Sequence, residues 1–399
     1  METTIPKFAP ANRIADTQPY FFAGLNKRLR ELQTHGVDII RLDMGSPDLP
    51  PADFIIDKLI QVAKEPDAHG YMPNGGTPSY RKAIADYYQK RFGVELDAEQ
   101  EVLGLLGSKE GLFNLSQVLL NPVDTVLVPD PGYPVYSAGA RIAQAEIEWM
   151  PLRAENNFLP DLRSIPEKVA ERAKLLWLNY PNNPTGAIAS LDFFKEAVEY
   201  AHSHSILLAH DAPYVDVCFD GYHAPSLLQV PGAKEVAVEF NSLSKAYNMG
   251  GWRLGMAVGN PVVIGYLNTY KSQMDTSTFK PLMEAGAEAL TGDQTWLEAR
   301  NRIYQERRDI VLRGLRAAGL RARTPPATIY VWGEIPAGAN SMEFCSQLVE
   351  ATGVSTTPGV VYGNSGEGYF RISLGIATER IREAMERLVS WMKTQRSGG

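Results

Sequence analysis

The stretch Ser242–Gly255, SLSKAYNMGGWRLG, lies just beyond the apolar run EVAVEF (residues 235–240) and crowds two serines, a lysine, two adjacent glycines and an arginine into one strand exit. Two earlier apolar runs end in the same manner. LLWL leads into NYPNNPTG with Asn182 and Asn183, and ILLAH leads into Asp211 and Tyr214. Successive ends lie about 30 residues apart, the length of one strand plus its crossover helix. Ligands of open parallel sheets collect at the carboxyl ends of strands, so these side chains are expected to converge on one crevice. A fourth end, LGLLGSKEGLFNL, places Gly107, Ser108 and Lys109 where a strand turns into a helix. The free amides and dipole of a helix start favour an anion there.

Working outward, β-rich runs alternate with amphipathic segments from about residue 100 to 260: EVLGLL, DTVLVP, AEIEWMPL, AKLLWLNY, SILLAHD, EVAVEF and RLGMAVG. That alternation predicts an α/β fold with a mostly parallel seven-stranded sheet between helices. Flanking it, YRKAIADYYQKRFG reads as a helix ended by Gly93, and the long charged helix beginning QTWLEAR is ended by Gly319. TIYVWGEIP and GYFRISLG then read as antiparallel strands, and TERIREAMERLVSWMKTQ closes the chain as a helix with Ile381, Met385, Leu388 and Met392 on one face. The expected division is an N-terminal arm with part of a small domain (1–48), a large ligand-binding domain (49–285) and a small α+β domain (286–399).

Composition narrows the function. A chain of 399 residues with 44% hydrophobic and 21% charged residues is an ordinary globular protein, and a net charge of −7 with no basic patch argues against nucleic acid as a partner. Cys218 and Cys345 are too few and too far apart for a disulfide framework or a metal site, and His202 and His204 are expected in a solvated loop. No apolar run approaches the ~18 residues a membrane helix needs, and the start METTIPKFAPANRIADTQPYFF lacks the pattern of a secretory signal. The expectation is a cytoplasmic protein.

The chemistry follows from the convergence. Ser242, Ser244, Ser108 and Arg253 around a helix start can hold a phosphate, which a guanidinium grips in two places. Lys245, set among cations and sheltered from water, is pushed towards its neutral, nucleophilic amine. Asp211 is costly to bury unless it faces a protonated aromatic nitrogen, an attraction of roughly 5 kcal/mol at about 3 Å and an effective dielectric near 20. Phosphate, aldehyde and pyridine nitrogen together describe pyridoxal 5′-phosphate joined to Lys245.

With these residues in place, the chain resembles the fold-type I pyridoxal-phosphate aminotransferases of class I and II. The likeness rests on motifs in order: GSPDLP (45–50), GYMPNGGTPSYRKAIADYY (70–88), GSKEG (107–111), PDPGYPVY (129–136), NYPNNPTG (179–186), HDAPY (210–214), SLSKAYNMGGWRLG and YFRISLG. The resemblance implies that Lys245 carries the cofactor and moves a proton at the substrate α-carbon, and that Asp211 faces the pyridine nitrogen. It implies that Asn183 and Tyr214 bond the phenolic oxygen and that Tyr133 stacks on the ring. Ser108, Lys109, Ser242 and Arg253 match phosphate positions, with Ser244 nearby. Tyr71 is similar to the tyrosine that reaches the phosphate of the other subunit's cofactor, which makes a homodimer the expected unit. Arg371 matches the clamp for the substrate carboxylate, with Gly45 and Tyr20 beside the substrate. Phe370, Ile372 and Leu374 share one strand face, so Arg371 projects from the other.

The sequence looks closest to the LL-diaminopimelate aminotransferase branch, which exchanges an amino group with glutamate and 2-oxoglutarate in lysine synthesis. Members of that branch often read GDPD where Ser46 stands and carry a glutamine near Lys280. Alanine, aspartate or an aromatic amino acid are the alternative donors, and a carbon–sulfur β-lyase is the alternative reaction on the same scaffold.

Overall fold

The computed structural model describes residues 8–15 and 21–397. Its strands are β1 (Ile40–Arg41), β2 (Val102–Leu105), β3 (Thr125–Asp130), β4 (Glu146–Pro151), β5 (Ala173–Asn179), β6 (Leu207–Asp211), β7 (Ala237–Ser242), β8 (Gly255–Gly259), β9 (Tyr330–Glu334), β10 (Val354–Ser355), β11 (Thr357–Pro358) and β12 (Tyr369–Ser373). Seven of them form the central sheet in the order β2-β8-β7-β6-β5-β3-β4. All neighbours in it are parallel except that β8 runs against both β2 and β7. β8 returns through residues 243–254, which hold only two short helical turns, Leu243–Ala246 and Gly250–Trp252, rather than a full crossover helix, and it pairs antiparallel.

Alternation along the strands builds two cores from one sheet. Leu175 and Trp177 of β5 pack to one side with Leu112, Leu115, Phe240 and Ala257. Leu176 and Leu178 pack to the other with Tyr80, Tyr88, Phe194 and Leu208. EVAVEF enters the sheet at Ala237 rather than Glu235, because Ala233–Val236 forms a helical turn first. His202 and His204 lie in the last turn of the helix Leu191–His204, not in a loop.

A further core joins Ile40 and Leu42 to Ile310, Leu315, Phe370, Ile372, Leu374, Ile381, Met385 and Leu388. There β9 and β12 pair antiparallel, β12 also pairs with β11, and β1 pairs parallel with β10. Gly93 and Gly319 take left-handed conformations, φ 68° each, at the ends of the two helices they were expected to stop.

Candidate active site

The carboxyl ends of β5, β6 and β7 and the start of the helix Ser108–Leu119 open on one cavity of about 430 Å³. Ser108, Lys109, Tyr133, Asn183, Asp211, Tyr214, Ser242, Ser244, Lys245, Arg253, Arg371 and Gly45 all line it. Tyr71 does not; it is 91% exposed. Tyr20 lies outside the described residues.

Lys245 stands on a single helical turn, Leu243–Ala246, capped by the Ser242 hydroxyl, which accepts from the Ser244 amide at 3.1 Å. Its Nζ donates to the Gly45 carbonyl. Burial first, then the Arg371 and Arg253 charges, lower its pKa against the opposing pull of Tyr330 and Asp211. The amine therefore reaches its neutral form more readily than a surface lysine does.

Asp211 ends β6 with a buried side chain. Its Oδ2 accepts from the Tyr136 hydroxyl at 2.6 Å, while Oδ1 is buried without a partner among the described residues. Burial pushes the carboxyl up to about 6, and the Tyr136 bond, His210 and Lys245 pull the other way. An unmatched carboxylate oxygen of this kind suits a cationic N–H brought by a ligand.

At the helix start, close packing decides the residue types. A Cβ on Gly255 would stand 2.5 Å from the Ser108 nitrogen, and one on Gly107 would stand 2.3 Å from Nη2 of Arg253. Arg253 is exposed to the cavity and anchored by the Gly250 and Leu106 carbonyls at 3.0 and 3.1 Å. Lys109 is exposed as a residue, yet partial enclosure of its ammonium and then the Arg253 charge lower its pKa. Two cations and the helix-start amides thus surround one space, the donor set a phosphate requires.

Arg371 of β12 is buried between two rings, 4.1 Å from the Tyr330 centroid and 5.0 Å from that of Tyr362. It donates through Nη1 to Asn183 Oδ1 at 2.9 Å and through Nη2 to the Asp43 carbonyl at 2.8 Å, and Nε has no partner among the described residues. The Tyr214 hydroxyl donates to that of Tyr330 at 3.0 Å. Burial opposes ionisation of Tyr330, but Arg371, Lys245 and the Tyr214 bond together hold it below the ordinary tyrosine value.

Sequence reading missed Tyr136, Tyr330 and the pair Arg41–Asp43. PDPGYPVY was read for Tyr133 alone, and nothing local ties Tyr136 to a carboxylate 75 positions away. Arg41 also lines the cavity and grips Asp43 at 2.8 and 2.6 Å, although the tripeptide RLD carries no motif.

The profile of aminotransferase class I and II matches residues 37–388. The chain belongs to the class I and II aminotransferases. An LL-diaminopimelate aminotransferase of Moorella thermoacetica is 51% identical over 378 residues, covering 95% of this chain and 97% of that relative. The substrate-bound BacF structure from Bacillus subtilis matches this aminotransferase with a TM-score of 0.93 at 38% identity, covering 96% and 98% of the two chains. A probable N-succinyldiaminopimelate aminotransferase from Thermus thermophilus matches with a TM-score of 0.88 at 39% identity, covering 92% and 99%.

The aminotransferase uses pyridoxal 5′-phosphate, and the cavity fits that group at three points: the open Asp211 oxygen, the cation-flanked helix start and the amine of Lys245. Among the described residues no three His, Cys, Asp or Glu side chains are grouped to hold a metal ion, and no helix is long and apolar enough to cross a membrane.

Proposed function

We propose that this aminotransferase interconverts LL-2,6-diaminopimelate and tetrahydrodipicolinate, with glutamate and 2-oxoglutarate as the other pair, in lysine synthesis. The 51% identity to an LL-diaminopimelate aminotransferase along 95% of the chain carries this reading. When bound, pyridoxal phosphate supplies an aldehyde that takes up an amine and a ring that accepts the electron pair left at the substrate α-carbon. Everything else is the work of side chains.

In this reading Arg253, Lys109, Ser108, Ser242 and Ser244 bind the phosphate. Asp211 keeps the ring nitrogen protonated through its open oxygen. Asn183 and Tyr214 orient the phenolic edge, and Tyr133 covers a ring face. Arg371, whose Nε has no partner among the described residues, receives the α-carboxylate, while its bonds to Asn183 and Asp43 and the flanking rings fix its plane. With the carboxylate fixed, the neutral Nζ of Lys245 would take the α-proton, hold it and return it to the carbon contributed by the cofactor's aldehyde, on the far side of the amino nitrogen. Gly45 leaves room beside the substrate, since a Cβ there would stand 2.3 Å from the Tyr330 hydroxyl.

The reading includes a cytoplasmic homodimer. Its support is Tyr71, an aromatic 91% exposed in one copy and suited to burial against a second, together with two free thiols. It also divides the chain near residues 48 and 285; the core of Ile40, Leu42, Ile310 and Phe370 supports a small domain built from both chain ends, while the helix Lys280–Thr291 runs through 285 and keeps Ala289 and Leu290 in the large-domain core.

The test offers LL-diaminopimelate, alanine, aspartate and an aromatic amino acid to the holoenzyme with 2-oxoglutarate and follows glutamate. LL-diaminopimelate is expected to be fastest, and Lys245→Ala to lose both the visible absorbance and the turnover. If another donor is faster by orders of magnitude, the substrate is wrong and the family stands. Pyruvate and ammonia released from a sulfur amino acid, with no glutamate formed, would mark a β-lyase instead.

A further inference from the structure

Arg300 is 3% exposed on the helix Thr295–Ala317, and such a charge ordinarily sits against a carboxylate. Among the described residues it has no such partner. Nη1 donates to the main-chain carbonyl of Lys245 at 2.7 Å, Nη2 to that of Asp216 at 2.8 Å, and Nε is buried without an acceptor. The rings of Trp296 and Tyr304 flank it at 6.0 and 5.8 Å.

The location explains why so costly a residue is kept. Lys245 sits in a helix of four residues, too short to be stable alone and ending before its last carbonyls can find partners within it. Ser242 caps the front of the turn, and the Leu243 carbonyl accepts the amides of Tyr247 and Met249 at 3.1 and 3.3 Å. The Lys245 carbonyl is taken by Arg300. The same helix carries Tyr304, Ile310, Val311 and Leu315 into the core around Phe370, so the main chain of the lysine is tied to an element outside the central sheet. Arg371 and Arg253 are the cations that act on Nζ; the contribution of Arg300 is geometric.

We propose that Arg300 is a positioning residue for the reaction: it holds the carbonyl of Lys245 and so fixes the main chain from which the amine reaches the α-carbon. This rests on the reading of Lys245 given above. The Arg300 variants test it in the cofactor-loaded protein. Arg300→Met removes the fork and the buried charge, and Arg300→Lys keeps the charge but cannot span both carbonyls. The expected result is a fall in kcat of about ten- to a hundredfold, the cost of misplacing a catalytic group by an ångström or less, with KM unchanged. The visible circular dichroism per bound cofactor should fall with kcat, and the melting temperature should not. A purely structural residue would lower the melting temperature and kcat and raise KM together in both variants, and that pattern overturns the proposal. So does parental kcat and circular dichroism in either variant. If Arg300→Met does not fold, Arg300→Lys decides. Lys245→Ala measured alongside separates the two claims: if it keeps its visible spectrum and turnover, the lysine assignment fails whatever Arg300 does.

Discussion

His210 and Asp211 are consecutive on β6 and point to opposite faces of the sheet, and the two faces treat a buried carboxylate in opposite ways. On the His210 face, Glu239 of β7 is fully buried and accepts from four donors: Tyr88 at 2.9 Å, Ser226 at 2.9 Å, the Leu227 amide at 2.9 Å and His210 at 2.8 Å. On the other, Asp211 has one donor and one idle oxygen. Burial is common to both, so it does not by itself point to a ligand site. What separates them is unspent hydrogen-bonding capacity, which a satisfied network such as that of Glu239 lacks and a ligand site must keep.

The sharpest way to break the comparison is to remove each acid and ask which property fails. Glu239→Ala strands four donors in the interior, and stability should fall by about 3–5 kcal/mol in urea unfolding, with the activity per folded molecule largely retained. A variant that unfolds normally but loses turnover would place Glu239 in the reaction and erase the contrast.

Asp211→Asn should do the reverse. Removing a preorganised charge from the reacting ring should cut kcat by about 10²–10³-fold, or about 3–4 kcal/mol on the barrier. Its stability effect has the opposite sign. The folded cofactor-free protein holds this carboxyl near 6 against an ordinary 3.8, so folding favours the protonated form. That contribution is complete below the ordinary value and is lost as pH rises through about 6; the gap between 3.8 and about 6 corresponds to about 3 kcal/mol at most. Cofactor-free Asp211→Asn should therefore exceed the parent in stability at neutral pH and match it below about 4. Equal stabilities across that range would mean that the buried carboxyl carries no such cost.

The sequence was informative where chemistry follows local pattern. Apolar runs ending in polar clusters located β5, β6 and β7 and placed Asn183, Asp211 and Lys245 at one end of the sheet, because strand periodicity and crossover length are local quantities. It was silent where partners come from afar. Glu239 within EVAVEF carries no sign of the Tyr88 and Ser226 hydroxyls that satisfy it, which stand 151 and 13 positions away. Arg371 could be placed off the apolar face of its strand, but not between Tyr330 and Tyr362. The reversal of β8 was equally hidden, since GMAVG reads alike in either direction.

Tyr136 offers the smallest and finest test of the contrast, because it is the one hydrogen bond the Asp211 side chain has among the described residues. Tyr136→Phe keeps the ring, which stacks on Trp177 at a centroid distance of 4.9 Å, and removes only the hydroxyl. That hydroxyl lowers the Asp211 pKa, so its loss moves the carboxyl further above about 6. At acidic pH less of the carboxylate is then available to a ring N–H, and cofactor affinity should weaken by about tenfold, the worth of one hydrogen bond to a charged group. Well above the new pKa both proteins hold an ionised Asp211, and the difference should shrink. A titration of cofactor binding against pH separates the causes: a gap that closes as pH rises traces the defect to the carboxylate, whereas a constant gap traces it to a displaced ring.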